Sequence, residues 1–176
     1  YKLCCPTSQL SKPDVFGGIY RVRRTGAKVE DPRGLKLDWK IGQIDSDALR
    51  ALIERLGDPR PAVQHRAIRM LAGLWRDAAS ALRQELYDGE DRKIKATLAR
   101  CRAAVWTAAR IDDPDARAFV VRSLAHRDET VVAAACHAIG LWRDAGALEQ
   151  LLPYVAHDSL HVRRAAAEAI GRCGKA

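Results

Sequence analysis

Residues 126–156 read HRDETVVAAACHAIGLWRDAGALEQLLPYVA, and residues 157–176 read HDSLHVRRAAAEAIGRCGKA. Set one above the other, they share a register of 31 residues: Val131 matches Val162, Ala135 matches Ala166, Ile139 matches Ile170 and Gly140 matches Gly171. Upstream, DPRPAVQHRAIRMLAGLWRDAASALRQEL (58–86) has the same design with one extra residue in its first helix, and its GLWRDA recurs at 140–145. A diverged copy, KATLARCRAAVWTAARIDDPDARAFVVRSLA (95–125), lies between them, and Trp75 and Trp106 are again 31 apart. A period near 31 made of two helices is the signature of a stacked helical array. Each unit exposes one apolar face and has to bury it on the next.

Within a unit, apolar residues fall three and four apart, as in Val63, Ala67, Met70, Leu71 and Leu74. That spacing gives a helix one apolar stripe. Asp58, Asp128 and Asp158 precede first helices, and Asp77 and Asp144 precede second helices, where a carboxylate caps or favours the positive helix end. The pattern predicts helices over 46–56, 60–74, 78–88, 92–110, 115–125, 129–141, 145–156 and 160–172. The last lacks a partner in this chain, so Val162, Ala166 and Ile170 are expected to be partly exposed.

Residues 1–44 differ from the remainder. In KPDVFGGIYRVRR, Ile19, Arg21 and Arg23 alternate with Tyr20, Val22 and Arg24, which is a strand signal. Gly26, Pro32 and Gly34 then form a linker to Leu35, Leu37 and Trp39, which could pack on the first helices. The expected fold is therefore all-α, a solenoid of helical hairpins over 45–176, preceded by an extended segment (1–44) with one isolated β-strand. The absent initiator methionine and the stop just after a helix read as cuts in a longer polypeptide.

The formal charge of +8 invites a nucleic-acid reading. Its placement argues against one: residues 1–40 hold nine basic and four acidic residues, whereas the remainder holds 21 and 18. Phosphate binding needs a concentrated basic stripe. The longest charge-free helical stretch, Thr130–Trp142, falls short of the roughly 20 residues that span a bilayer.

The helical part resembles HEAT-like repeats of the phycobilisome-lyase type, on the segments AVxxxAxxxLAG (62–73), VVAAACHAIG (131–140) and VRRAAAEAIG (162–171). YKLCCPTSQLSKPDVFGGIYRVRR, followed by DPRGLKLDW, resembles the junction at which a planctomycete-type, membrane-bound dehydrogenase-like β-propeller (similar to glucose/sorbosone dehydrogenases) runs into such repeats. The resemblance implies that Ile19–Arg24 closes a propeller blade. It also implies a periplasmic or envelope location, and a haem c domain in the full-length parent. It places no catalytic residue in this chain.

No catalytic, cofactor or metal site is expected here. Haem attachment needs Cys-x-x-Cys-His, and Cys136-His137 has Ala133 where the first cysteine belongs. His157 and His161 lie four apart, with His126 equivalent to His157, but these read as loop histidines. His65 lies on a polar helix side. Cys4 and Cys5 are adjacent, without the spacer of a redox or zinc motif. Cys101, Cys136 and Cys173 read as small buried residues. Trp75 and Trp142 are expected to plug the turns between helices, in preference to a ligand box.

The expected function is a non-catalytic protein-interaction or spacer module, with Arg83, Gln84, Glu149 and Gln150 on the second helices facing a partner protein or neighbouring domain. Other classes stay open. The parent could be a PQQ- or sugar-type dehydrogenase, its active site outside this chain. The chain could bind nucleic acid through Arg21, Arg23, Arg24 and the Arg-rich helices, in the manner of HEAT-like DNA glycosylases. It could also act on a bilin or another cofactor as lyase or chaperone.

Overall fold

The computed structural model describes Gly26, residues 45–86 and residues 97–174, with side chains between 45 and 83 and from 97 onward. The chain divides into two units, 1–30 and 31–176. The strand expected at Ile19–Arg24, the Cys4-Cys5 pair, Leu35, Leu37, Trp39 and the Gln84 side chain lie outside the described residues. Among those described there are eight α-helices and no strand: α1 (Ser46–Arg55), α2 (Pro61–Gly73), α3 (Arg76–Leu86), α4 (Leu98–Ala108), α5 (Pro114–Arg122), α6 (Glu129–Trp142), α7 (Leu148–Leu151) and α8 (Leu160–Cys173).

Local chemistry sets the helix starts. Asp45 accepts from the Ala48 amide at 2.8 Å to start α1, and Thr97 accepts from the Arg100 amide at 3.2 Å to start α4. Pro61 and Pro114 open α2 and α5, where a missing N–H costs nothing. Asp128 caps α6 through the Thr130 amide at 3.0 Å. Asp58 takes another role: it accepts from the Arg60 amide (2.9 Å) and guanidinium and so builds the turn before α2. Asp158 does not cap α8, whose first position follows Ser159 without a side-chain bond. Asp77 lies inside the first turn of α3, and Asp144 caps the short 3-10 turn at Ala145–Ala147.

First helices stack on first helices: α2 on α4, α4 on α6, and α6 on α8, while α3 packs on α5 in the second row. The interior runs through every hairpin as one cluster, from Leu52 and Leu56 through Leu71, Leu82, Phe119, Val131 and Ile139 to Val162 and Ala166. The equivalent valines Val63, Val131 and Val162 are all fully buried. The expectation for the last helix is corrected on one point. Val162 and Ala166 are buried and Ile170 half-buried, because their stripe faces back onto α6 and the segment before α8, away from the open end. The large exposed apolar residue of α8 is Leu160.

The 145–156 segment is not one helix. It runs as a 3-10 turn, one turn of α-helix (α7) and a second 3-10 stretch at Leu152–Ala156. Pro153 supplies no amide and crowds the preceding turn, which favours the tighter winding.

The two GLWRDA copies fold differently. Leu71 and Ile139 occupy equivalent core positions, but the tryptophan follows four residues later in one copy and three in the other. Trp142 is the last residue of α6 and half-buried, its indole N–H donating to the Ala109 carbonyl at 3.1 Å. Trp75 falls one place beyond, in the left-handed position (φ 48°) that Arg143 (φ 52°) holds in the other copy. One residue is about 100° of helix rotation, and Trp75 is turned out to 66% exposure. It therefore plugs nothing, contrary to expectation.

Candidate ligand-binding groove on the first helices

The 31-residue register places equivalent side chains in rows across the first helices. One row is Arg102, Ala133 and Arg164; the next is Trp106, His137 and Glu168. These residues, with Thr130, Ala134, His161 and Ala165, line a groove of about 340 Å³ running over α6 between walls from α4 and α8. Ala133 and Ala134 form the floor on α6, and Ala165 adds a small side chain on the α8 wall. Arg102 Nη1 donates to Thr130 Oγ1 at 3.0 Å, which ties the α4 wall to the floor. On the far wall Arg164 Nε donates to Glu168 Oε1 at 2.9 Å. That bond, with the Arg164 charge, holds the Glu168 carboxyl below its ordinary pKa. The Trp106 and His137 rings meet edge to face, centroids 5.4 Å apart. A second groove, about 290 Å³, lies on the other side of α4 and shares Arg102 and Trp106, with Gln64, His65 and Arg110 completing it.

The balanced charge of the helical region is segregated by row. Helices α2, α4, α6 and α8 carry seven arginines and two glutamates, whereas α3, α5 and α7 carry four arginines and four carboxylates. Counting along the chain hides this, because acidic residues gather in the turns.

Several groups singled out in the sequence have structural roles. His126 Nδ1 accepts from the Asp128 amide at 3.0 Å, and His157 Nδ1 accepts from the Ser159 amide at 3.1 Å. The same turn is thus built twice, and His157 also stacks on Tyr154. His65 and His161 are exposed and line the two grooves. Cys136 is fully buried, and desolvation pushes its thiol pKa up to about 11. Burial also raises Cys101 and Cys173. Nucleophilic cysteines need the opposite shift. Among the described residues no group of three His, Cys, Asp or Glu side chains could hold a metal ion, and no helix is long and apolar enough to cross a membrane.

Arg83, Glu149 and Gln150 are exposed, on α3 and α7. They line neither groove, and they sit on helices of different hairpins. Arg102, Trp106, His137 and Arg164 were not anticipated. The signal was in the sequence: the alignment that identifies the repeat also stacks 102 on 133 on 164. Trp106 had instead been matched with Trp75 at the same spacing.

Turns join successive hairpins through charge. Arg76 Nε lies 3.3 Å from Asp113 Oδ2, and Arg117 Nη1 lies 3.8 Å from Asp144 Oδ2 with its guanidinium 5.0 Å from the Trp142 ring centroid. Asp113 and Asp144 are 31 residues apart and both cap. Arg76 is largely exposed, so its pair contributes little.

Among solved structures, human deoxyhypusine hydroxylase in complex with glycerol is similar, with a TM-score of 0.53 and 19% identity over 70% of this chain. The chain spans 42% of the length of that protein, so the likeness bears on the fold alone. No curated protein matches the sequence. The family model for HEAT repeats matches residues 81–171, just over half of the chain, from the middle of α3 into α8. The stacked hairpins, their shared interior and that match together make this chain a member of the HEAT-repeat family.

Proposed function

We propose that the chain is a non-catalytic protein-interaction module, and that it docks its partner on the face formed by the first helices. The observation that carries this reading is the groove over α6. It is a shallow, open strip with an apolar floor, an aromatic edge and cations on both walls, the composition in which a few anchors fix a partner. Stacked hairpins present such a strip rigidly. The same array serves equally as a spacer in a longer polypeptide. The resemblance of residues 1–40 to a propeller junction supports a parent that is exported, dehydrogenase-like and haem-associated, with its chemistry outside this chain.

Peptide-display selection on the full 176-residue chain tests the docking reading. The expected result is one enriched sequence class that competes with itself and loses binding in Trp106→Ala. No enriched class, or a class indifferent to that substitution, overturns it. Reading the flanking frames tests the parent: propeller repeats upstream and Cys-x-x-Cys-His downstream are expected.

A further inference from the structure

We infer that the groove over α6 takes an extended acidic protein segment, with one large apolar side chain seated between two carboxylates. This rests on the reading of the first-helix face as a docking surface and specifies its occupant. The argument is charge complementarity in a fixed geometry. The row Arg102–Ala133–Arg164 puts a guanidinium on each wall and an alanine between them. Packed helices lie about 8–10 Å apart, so the two guanidiniums are separated by roughly two such steps. An extended chain advances about 3.3 Å per residue. Side chains alternate faces along such a chain, so carboxylates four residues apart share a face about 13 Å apart; the flexible arginine stems lean inward to meet both, and the residue midway between the carboxylates falls on the same face, over Ala133 and Ala134.

The groove suits that central residue. A volume near 340 Å³ holds one large side chain with some water, and Trp106 and His137 offer ring surface beside it. Arg164 engages Glu168 through Nε alone. Its terminal nitrogens can take a second carboxylate, since a guanidinium has five donors. A nucleic-acid strand fits less well. The row is interrupted by Ala133, and the adjoining row ends in Glu168, whereas phosphate tracking needs an unbroken basic stripe.

The test uses the full chain and a fluorescein-labelled peptide, Glu-Glu-Ala-Phe-Ala-Glu-Glu, read by polarisation. Controls replace Phe by Ala or Glu by Lys, and an oligo-dT of similar charge is run in parallel. Expected are saturable binding that weakens with salt, a loss of at least about tenfold in Arg102→Glu and in Arg164→Glu, and a similar loss in Ala133→Phe, which fills the floor. Arg102 and Arg164 are exposed and Ala133 is partly buried against the core, so the two arginine substitutions decide the inference and circular dichroism verifies each fold. Absence of binding, binding unchanged by the arginine substitutions, equal binding of the Lys peptide, or tighter binding of oligo-dT each overturns the inference. If display selects a neutral or basic class sensitive to Trp106→Ala, the docking face stands and its acidic specificity falls.

Discussion

Asp58 ties the turn between α1 and α2, beside the Gln64 side-chain amide that donates to the Leu56 carbonyl at 2.7 Å. The Asp58 side chain is 5% exposed and accepts from the amide and guanidinium of Arg60 and from Arg55 at 3.3 Å. Hydrogen bonding from the Arg60 side chain, the largest cause, holds its carboxyl well below the ordinary range. A carboxyl whose pKa is depressed on folding contributes stability above its unfolded pKa, near 4, and loses it as pH falls toward the folded value. Asp58→Asn should therefore cost about 1–2 kcal/mol at pH 7, and the gap to the native chain should narrow from pH 4 toward pH 2. Urea melts across that range measure it; a gap independent of pH would remove the ion pair from the account. The cysteines give a second check at this scale. Raised pKa values leave little thiolate on Cys136 and Cys173 at pH 8. Peptide mapping after brief iodoacetamide treatment should find both unmodified in the folded chain and modified in urea.

At the scale of elements, one motif gives opposite outcomes. Gly140 and Gly171 close equivalent Ala-Ile-Gly segments. A Cβ on Gly140 would stand 2.9 Å from the Ala169 Cα, because α6 and α8 touch there backbone to backbone; on Gly171 it would meet nothing within 4 Å. Gly140→Ala should destabilise by about 1–2 kcal/mol through overpacking. Gly171→Ala should stabilise by about 0.5–1 kcal/mol through helix propensity. Thermal melts of the two variants decide it, and equal effects would deny the close approach. These first helices were legible from the sequence because an apolar face repeating at three and four residues leaves few alternatives. The segment 145–156 was misread as a helix because its apolar residues outweighed Pro153 in a pattern count. Trp75 was misplaced because the one extra residue of its first helix, visible in the alignment, shifts the tryptophan to another face while GLWRDA itself stays identical. The groove escaped notice for another reason: its rows cross three hairpins, and a charge count along the chain averages the basic first helices with the acidic turns.

At the scale of the molecule, the interior is continuous but each hairpin packs chiefly on its neighbours, with α6 meeting α4, α5 and α8. Stability in such an array is close to a sum of unit and interface contributions, so a local defect should spread to adjacent units and fade beyond them. Ile139 is fully buried near the C-terminal end of the α6–α8 contact, and its carbonyl lies 3.8 Å from the Cys173 sulfur. Ile139→Ala removes that packing at a cost of about 2–5 kcal/mol. The loss should fall on amides of residues 129–173, whose hydrogen exchange should accelerate roughly in proportion. Amides of α1 and α2, which reach α6 only indirectly, through α4 or through α3 and α5, should keep their native protection. Exchange measured by mass spectrometry on the full chain separates the cases. Uniform acceleration from 46 to 173 would mean that the hairpins open as one unit, and the shared interior would then outweigh the boundaries between them.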